Sequence, residues 1–424
     1  MAGPRIIPRA EHPISRRDID PDALKVLYRL RQADHIAYLV GGSVRDLLLG
    51  RRPKDFDIGT SAHPYQVKKL FRNCWIIGRR FRLAHVKFGQ KVIEVATFRR
   101  QVAPGEEVVQ DGVPAPDPTT PEGAHLMHHD NTFGTPEEDA FRRDFTINAL
   151  AYDIATFSII DYVGGLDDLN ARVVRSIGDP SVRVLEDPVR MMRAVALASR
   201  LEFSIDPPVV HAIHTHRHEL ARSSAPRLLE EYYKILRTGA AERTFRWLAE
   251  LGLLEPISTE LHRGAADPLW QSLKRLDAYR RQFEATPESL TNSILLGTLL
   301  VPLDIPLHQR RSDERAAGPR LGELPLARRD IERLRLILGL QRRLREPGAS
   351  LRAKQALTYR HMFRDALTWL EIHGGSPELV EHWKSVAADA GPPEASAEGG
   401  GEPPPFKRRR RRRRRRRAGP TPGN

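Results

Sequence analysis

Leu39-Val40-Gly41-Gly42-Ser43-Val44-Arg45-Asp46-Leu47-Leu48-Leu49-Gly50, followed closely by Lys54-Asp55-Phe56-Asp57-Ile58, is the stretch on which the fold turns. Ile36 to Val40 is a short apolar run that stops at a glycine pair, as a buried strand does. Val44 to Leu49 then takes helical spacing and ends at Gly50, a residue favoured just past a helix. Asp55 to Ile58 reads as the next strand, whose two carboxylates at i and i+2 leave from one face because side chains alternate across a pleat. Such a pair of oxygens suits two Mg²⁺ ions, and the glycines before it let a backbone turn approach a triphosphate with no Cβ between.

Outward from this stretch the first hundred residues mix both periods. Asp20 to Arg31 has helical spacing and an acidic, proline-containing start, and Pro64 to Phe71 opens with proline at its first turn. Phe81 to Phe88 and Val92 to Phe98 alternate as strands do. The expected class is α+β, a mixed sheet with flanking helices. Residues 102–134 are rich in Pro, Gly, Asp and His without periodicity and predict a flexible loop inside the first domain. From Asp187 onward the strand signal fades and helical runs follow, at Val189 to Leu201, Arg227 to Leu236, Thr244 to Leu253 and Leu269 to Tyr279. The apolar stretch Ile294 to Leu307 is broken by Gly297, Pro302 and Asp304, so it predicts a core helix and not a membrane span.

Charge is distributed unevenly. The chain of 424 residues carries +14, of which Lys407 and the ten arginines Arg408 to Arg417 supply eleven, leaving +3 on the rest. The preceding Pro/Gly/Glu-rich stretch, Gly391 to Pro405, cannot build a core, so a disordered basic arm on a linker is expected. Cys74 is the only cysteine, which excludes an internal disulfide and a cysteine-built metal site. A reducing compartment follows, and with no apolar segment in Met1 to Ala10 the expectation is a cytoplasmic protein.

Three further segments carry chemistry. Glu94 interrupts an apolar strand between Ile93 and Val95, either at a solvated position or as a third carboxylate beside Asp55 and Asp57. Arg142-Arg143-Asp144-Phe145-Thr146-Ile147-Asn148-Ala149-Leu150-Ala151-Tyr152 reads as a helical apolar stripe (Phe145, Ala149, Tyr152) headed by two guanidiniums suited to phosphate oxygens. Asp187 and Arg190 sit three apart, neighbours on one helix face, where an acceptor beside donors matches the Watson–Crick edge of adenine. Cytosine offers the same pattern, so the pair does not separate ATP from CTP. Asp187-Pro188 is also an ordinary cap and first turn. His128-His129-Asp130 has no outlying partners and is read as solvated, and Met191-Met192 as core.

Six stretches together, LVGGSVRDLLLG (39–50), KDFDI (54–58), RRDFTINALAY (142–152), DYVGGLDDL (161–169), EDPVRMMRA (186–194) and RLLEE (227–231), resemble in order the bacterial poly(A) polymerases of the class II nucleotidyltransferase superfamily, kin of the CCA-adding tRNA enzymes. The run Gly78-Arg79-Arg80-Phe81-Arg82-Leu83-Ala84-His85-Val86 and the arginine-rich arm lean toward the polyadenylating branch. The resemblance implies a nucleotidyltransferase head followed by all-α neck and body domains: an N-terminal extension (1–19), head (20–165), neck (166–238), body (239–388), and linker and tail (389–424). It implies AMP transfer from ATP to RNA 3′ ends without a template, in mRNA processing and turnover. Asp55 and Asp57 would hold two Mg²⁺ ions, and Gly41, Gly42 and Arg45 would cradle the β- and γ-phosphates. Arg143 and Asp144 would position the nucleotide, Asp187 and Arg190 would read its base, and Arg227 and Glu231 would brace the neck as an ion pair. The third catalytic carboxylate is Glu94 or Asp144, and the sequence does not decide. RNA would be held through its backbone by the tail and by the arginine face of Ile331 to Leu344. A CCA-adding enzyme and a non-catalytic RNA-binding protein are the alternatives.

Overall fold

The computed structural model describes residues 3–78, 82–100, 132–307, 320–346 and 348–389. Arg79 to Phe81, His128-His129-Asp130, most of the 102–134 loop and the arginine arm lie outside the described residues.

Strands Arg5–Ile7 (β1), Ala37–Val40 (β2), Asp57–Thr60 (β3), Cys74–Ile77 (β4), Leu83–Phe88 (β5), Lys91–Thr97 (β6), Ala151–Asp153 (β7) and Ser158–Asp161 (β8) form one mixed sheet. Its order is β1-β8-β7-β2-β3-β6-β5-β4, and β3 and β6 are its parallel pair. One face is apolar: Leu39, Ile58, Ala84, Val86, Ile93 and Val95 are buried there. Helix α1 (Pro21–Gln32) lays Ala23, Val26, Leu27 and Leu30 into the same core, and α3 (Pro64–Leu70) adds Val67. Asp20 accepts hydrogen bonds from the Asp22 and Ala23 N–H groups and Pro21 starts the first turn, which fixes where α1 begins. Helix α2 (Gly42–Leu48) follows β2 directly.

The structure corrects three expectations. Residues 1–19 are not a separate extension: β1 pairs with β8 at the sheet edge, and Ile7, Ile14 and Ile19 are core residues. A three-residue strand is too short to show alternation. Asp55 precedes the strand, which begins at Asp57. Arg142 to Tyr152 is not a helix but a 3₁₀ turn at Thr146–Asn148 followed by β7. Here strand pairing overrides local spacing, since Tyr152 pairs with Leu39 across β2 and with Ile159 across β8.

Helices Pro180–Glu186 and Val189–Leu201 lead away from the sheet into a helical region. Asn292–Leu300 is buried all round, as its uniform apolarity requires. Asp267–Arg280, Arg328–Leu344 and Phe363–His373 pack in the same core. Along Arg328–Leu344 the core takes Ile331, Leu334, Ile337, Leu340 and Leu344, which leaves Arg329, Arg342 and Arg343 exposed. No helix among the described residues is long and apolar enough to cross a membrane.

Candidate active site

Parallel pairing of β3 with β6 aligns Ile58 with Val95, so the residues just before them, Asp57 and Glu94, stand side by side on the opposite face. Asp55 lies close enough to add its charge. Asp57 keeps an exposed edge, yet the surrounding protein desolvates its carboxylate, and Glu94 and then Asp55 repel it. These effects push it up to about 6, against the opposing charge of Arg143. The nearby basic side chains are weak partners: Lys54 is 3.5 Å from Asp55 with both side chains about 70% exposed, and His85 is 3.6 Å from Glu94.

Across the β2 side lies the glycine turn. Gly41 has φ +77°, and a Cβ there would lie 3.1 Å from Arg143 Nη1, so the guanidinium rests directly over the turn. Asp139 takes Arg143 Nε and Nη2 at 3.2 and 3.0 Å, and Nη1 donates to the Asn148 carbonyl at 3.2 Å. Arg45 does not face the turn's open side. It is buried and held by Asp46 at 2.7 Å and by the Asn148 side chain, because α2 rotates it inward beneath Gly42.

Asp144, the other candidate for the third carboxylate, is buried and forms an ion pair with Arg193 at 2.6 Å. It also accepts from the Phe145 N–H at 2.9 Å. No shared ladder brings it beside Asp57 as one brings Glu94.

Asp187 and Arg190 do not share a helix face, as their spacing suggested. Asp187 caps the end of Pro180–Glu186, and the next helix begins at Val189. Asp187 accepts from Arg227 Nη2 at 2.5 Å, while Arg190 Nη1 donates to Glu186 at 3.0 Å and to the Arg183 carbonyl at 2.8 Å. The expected Arg227–Glu231 pair is therefore replaced: Glu231 pairs with Lys234 at 2.8 Å. Asp187 lies within reach of Arg227 from the neighbouring helix, and that contact is invisible to spacing within one helix.

Sequence reading passed over several residues that build the site. Asp139 grips both Arg142 and Arg143, a pairing its i, i+3 and i+4 spacing signals. Buried Arg183 donates through Nη2 to the carbonyls of Arg142 and Arg143, both at 2.6 Å, and through Nη1 to Glu186 at 2.8 Å. Asp161 gathers the N–H groups of Val163, Gly164, Gly165 and Leu166, and Gly165 lies so close to the Thr146 carbonyl that a Cβ would approach it to 2.2 Å. Only the fold places Arg183 and Thr146 at these partners.

Among the described residues, no three His, Cys, Asp or Glu side chains converge into a metal cage. Asp57 beside Glu94, with Asp55 near enough to add its charge, fits Mg²⁺ nonetheless, since that ion takes one or two carboxylates and completes its shell with water and substrate phosphates.

A mixed sheet carrying paired carboxylates beside a glycine turn, continued by helices, defines a nucleotidyltransferase head with a helical body. Within that class the chain is a relative of the bacterial poly(A) polymerases. Residues 37–175 match the Poly A polymerase head domain, 202–264 the "Probable RNA and SrmB- binding site of polymerase A", and 314–417 the Polymerase A arginine-rich C-terminus. Poly(A) polymerase I of Salmonella typhimurium is 50% identical over 259 residues, covering 61% of this chain and 54% of that protein. A CCA-adding enzyme of Lactobacillus johnsonii is 37% identical over 235 residues, 55% of this chain and 54% of that one. Among solved structures, the Bacillus stearothermophilus CCA-adding enzyme in complex with CTP aligns with TM-score 0.61 and 29% identity, covering 88% of this chain and 83% of its own. The chain thus spans about half the length of the relatives it matches in sequence.

Proposed function

We propose that this protein adds AMP from ATP to RNA 3′-hydroxyls without a template, releasing pyrophosphate. The observation that carries the reading is the juxtaposition of Asp57 and Glu94 beside a glycine turn covered by Arg143. The choice of adenylate polymerisation over CCA addition is supported by the higher identity to poly(A) polymerase I, 50% against 37%. We assign residues 20–165 to a head, 166–238 to a neck and 239–388 to a body, with β1 joined to the head.

Asp55 and Asp57 would hold two Mg²⁺ ions with the nucleotide phosphates. When bound, such ions neutralise triphosphate charge and lower the pKa of an attacking hydroxyl. Glu94 is the third carboxylate, placed to accept the hydroxyl proton, whereas Asp144 is engaged by Arg193. Arg143, steered by Asp139, meets the phosphates over the Gly41-Gly42 turn. Asp187, whose two oxygens already accept from the Val189 N–H and from Arg227, and Arg190, held through Nη1, are the residues we assign to reading the base. RNA is the partner, engaged through the helical region and the basic arm, and mRNA processing in the cytoplasm is the proposed setting.

The test is extension of a labelled generic RNA with Mg²⁺ and each NTP separately, with Asp55→Ala/Asp57→Ala as control. A long ladder from ATP alone that vanishes in the double variant supports polyadenylation. Addition of a few residues that needs CTP and a tRNA end replaces it with CCA addition. No incorporation from any NTP leaves an RNA-binding protein.

A further inference from the structure

The carboxylate face continues beyond Glu94. Glu94 on β6 pairs with His85 on β5, and His85 pairs with Trp75 on β4. Paired side chains share a face, so Asp57, Glu94, His85 and Trp75 form one row across four neighbouring strands. At about 4.8 Å per strand the row is roughly 14 Å long. Its far end is open: Trp75 is 54% exposed, and Ile77, two residues on and therefore on the same face, is 51% exposed. Exposed Lys87, two residues from His85 along β5, adds a cation to this face.

The reaction geometry says which reactant reaches this end. In phosphoryl transfer the attacking and leaving oxygens lie in line on opposite sides of the phosphorus. The glycine turn and Arg143 lie on the β2 side of Asp57, which assigns the leaving pyrophosphate to that side. The attacking hydroxyl then comes from the β6 side, and the RNA strand behind it runs over β5 and β4.

We propose that Trp75 is a stacking platform for a base within the last four nucleotides of the RNA 3′ end. The reach follows from the row's length and a rise of about 3.4 Å per stacked nucleotide. An indole face accepts any base, which suits an enzyme that must take many 3′ ends, and Lys87 complements the phosphates. This inference rests on the polymerase reading.

The experiment uses Trp75→Ala and Trp75→Phe in the full chain. Stacking on an aromatic is worth enough that Trp75→Ala raises the KM for single-stranded RNA roughly 5- to 100-fold, while kcat and the KM for ATP hold and Trp75→Phe recovers most of the loss. A single abasic nucleotide within the last four costs the parent protein a similar factor and costs Trp75→Ala nothing more. An unchanged KM for RNA, or equal abasic losses in both proteins, overturns the proposal. Tryptophan fluorescence on titration with decaadenylate, without ATP, reads the contact independently of catalysis: quenching must shrink in Trp75→Phe. If no NTP is incorporated, the polymerase reading fails while this quenching still decides for or against the platform. An RNA-independent dimer that dissociates in Trp75→Ala assigns the face to a second copy and overturns the proposal.

Discussion

Arg193, on helix Val189–Leu201, lies 2.6 Å from Asp144, a buried carboxylate of the segment that runs into β7. Asp144 is the first cause of the raised Arg193 pKa, so the pair ties the helical region to the sheet electrostatically. Removing the cation strands a buried charge. Arg193→Ala is expected to lose about 3 kcal/mol, the low end for breaking a buried pair, since Arg193 keeps 43% of its side chain exposed. Urea unfolding at neutral pH measures it, and Arg193→Ala/Asp144→Asn should recover part of the loss.

The two candidates for the third carboxylate separate by variant. Glu94→Gln is expected to lower kcat for AMP incorporation by about 10²- to 10⁴-fold with no loss of Tm, because Glu94 is half-exposed and lies beside Asp57. Asp144→Asn is expected to act on Tm first, through Arg193. Equal kcat losses without any change in Tm would return Asp144 to the catalytic set.

Gly41→Ala tests the turn. With φ +77° and ψ −140°, the position is closed to other residues at a cost of about 1–3 kcal/mol. The added methyl also meets Arg143 Nη1, and a displaced Arg143 should raise the KM for ATP while leaving the KM for RNA unchanged. Steady-state kinetics with each substrate varied in turn read the difference.

Two groups give opposite pH trends. Burial, reinforced by Arg275, pushes His373 down to about 3. Thr298, whose hydroxyl donates to the Ile294 carbonyl, lies 3.2 Å from His373 Nε2 and fixes the ring's position, while burial disfavours its charged form. The unfolded chain then binds the extra proton below the ordinary value of 6.5, and stability falls as pH drops from there toward 3. His373→Gln should flatten that loss in thermal melts. Asp57, raised to about 6 from 3.8, binds its proton more tightly when folded, so its contribution falls as pH rises between those values. Asp57→Asn should be more stable than the parent protein at pH 7 without Mg²⁺, and Mg²⁺ with ATP should stabilise the parent alone.

The β2–glycine–α2–β3 order and the mainly helical character of the described residues after Asp187, interrupted only by the two-residue strands Ser204–Ile205, Arg320–Leu321 and Leu324–Pro325, are legible in the sequence because each is written in local period, turn chemistry and capping. The sequence also left Glu94 as an interruption that demanded an explanation. Tertiary structure decided which groups meet. Parallel pairing of strands far apart in the chain puts Glu94 beside Asp57, and a neighbouring helix gives Asp187 to Arg227 rather than to Arg190. Rotation of α2 turns Arg45 inward, and pairing with β2 makes a strand of residues whose spacing reads as a helix. Local spacing encodes the face a residue takes within its own element, but partners across elements are set by packing and register, which no single segment contains.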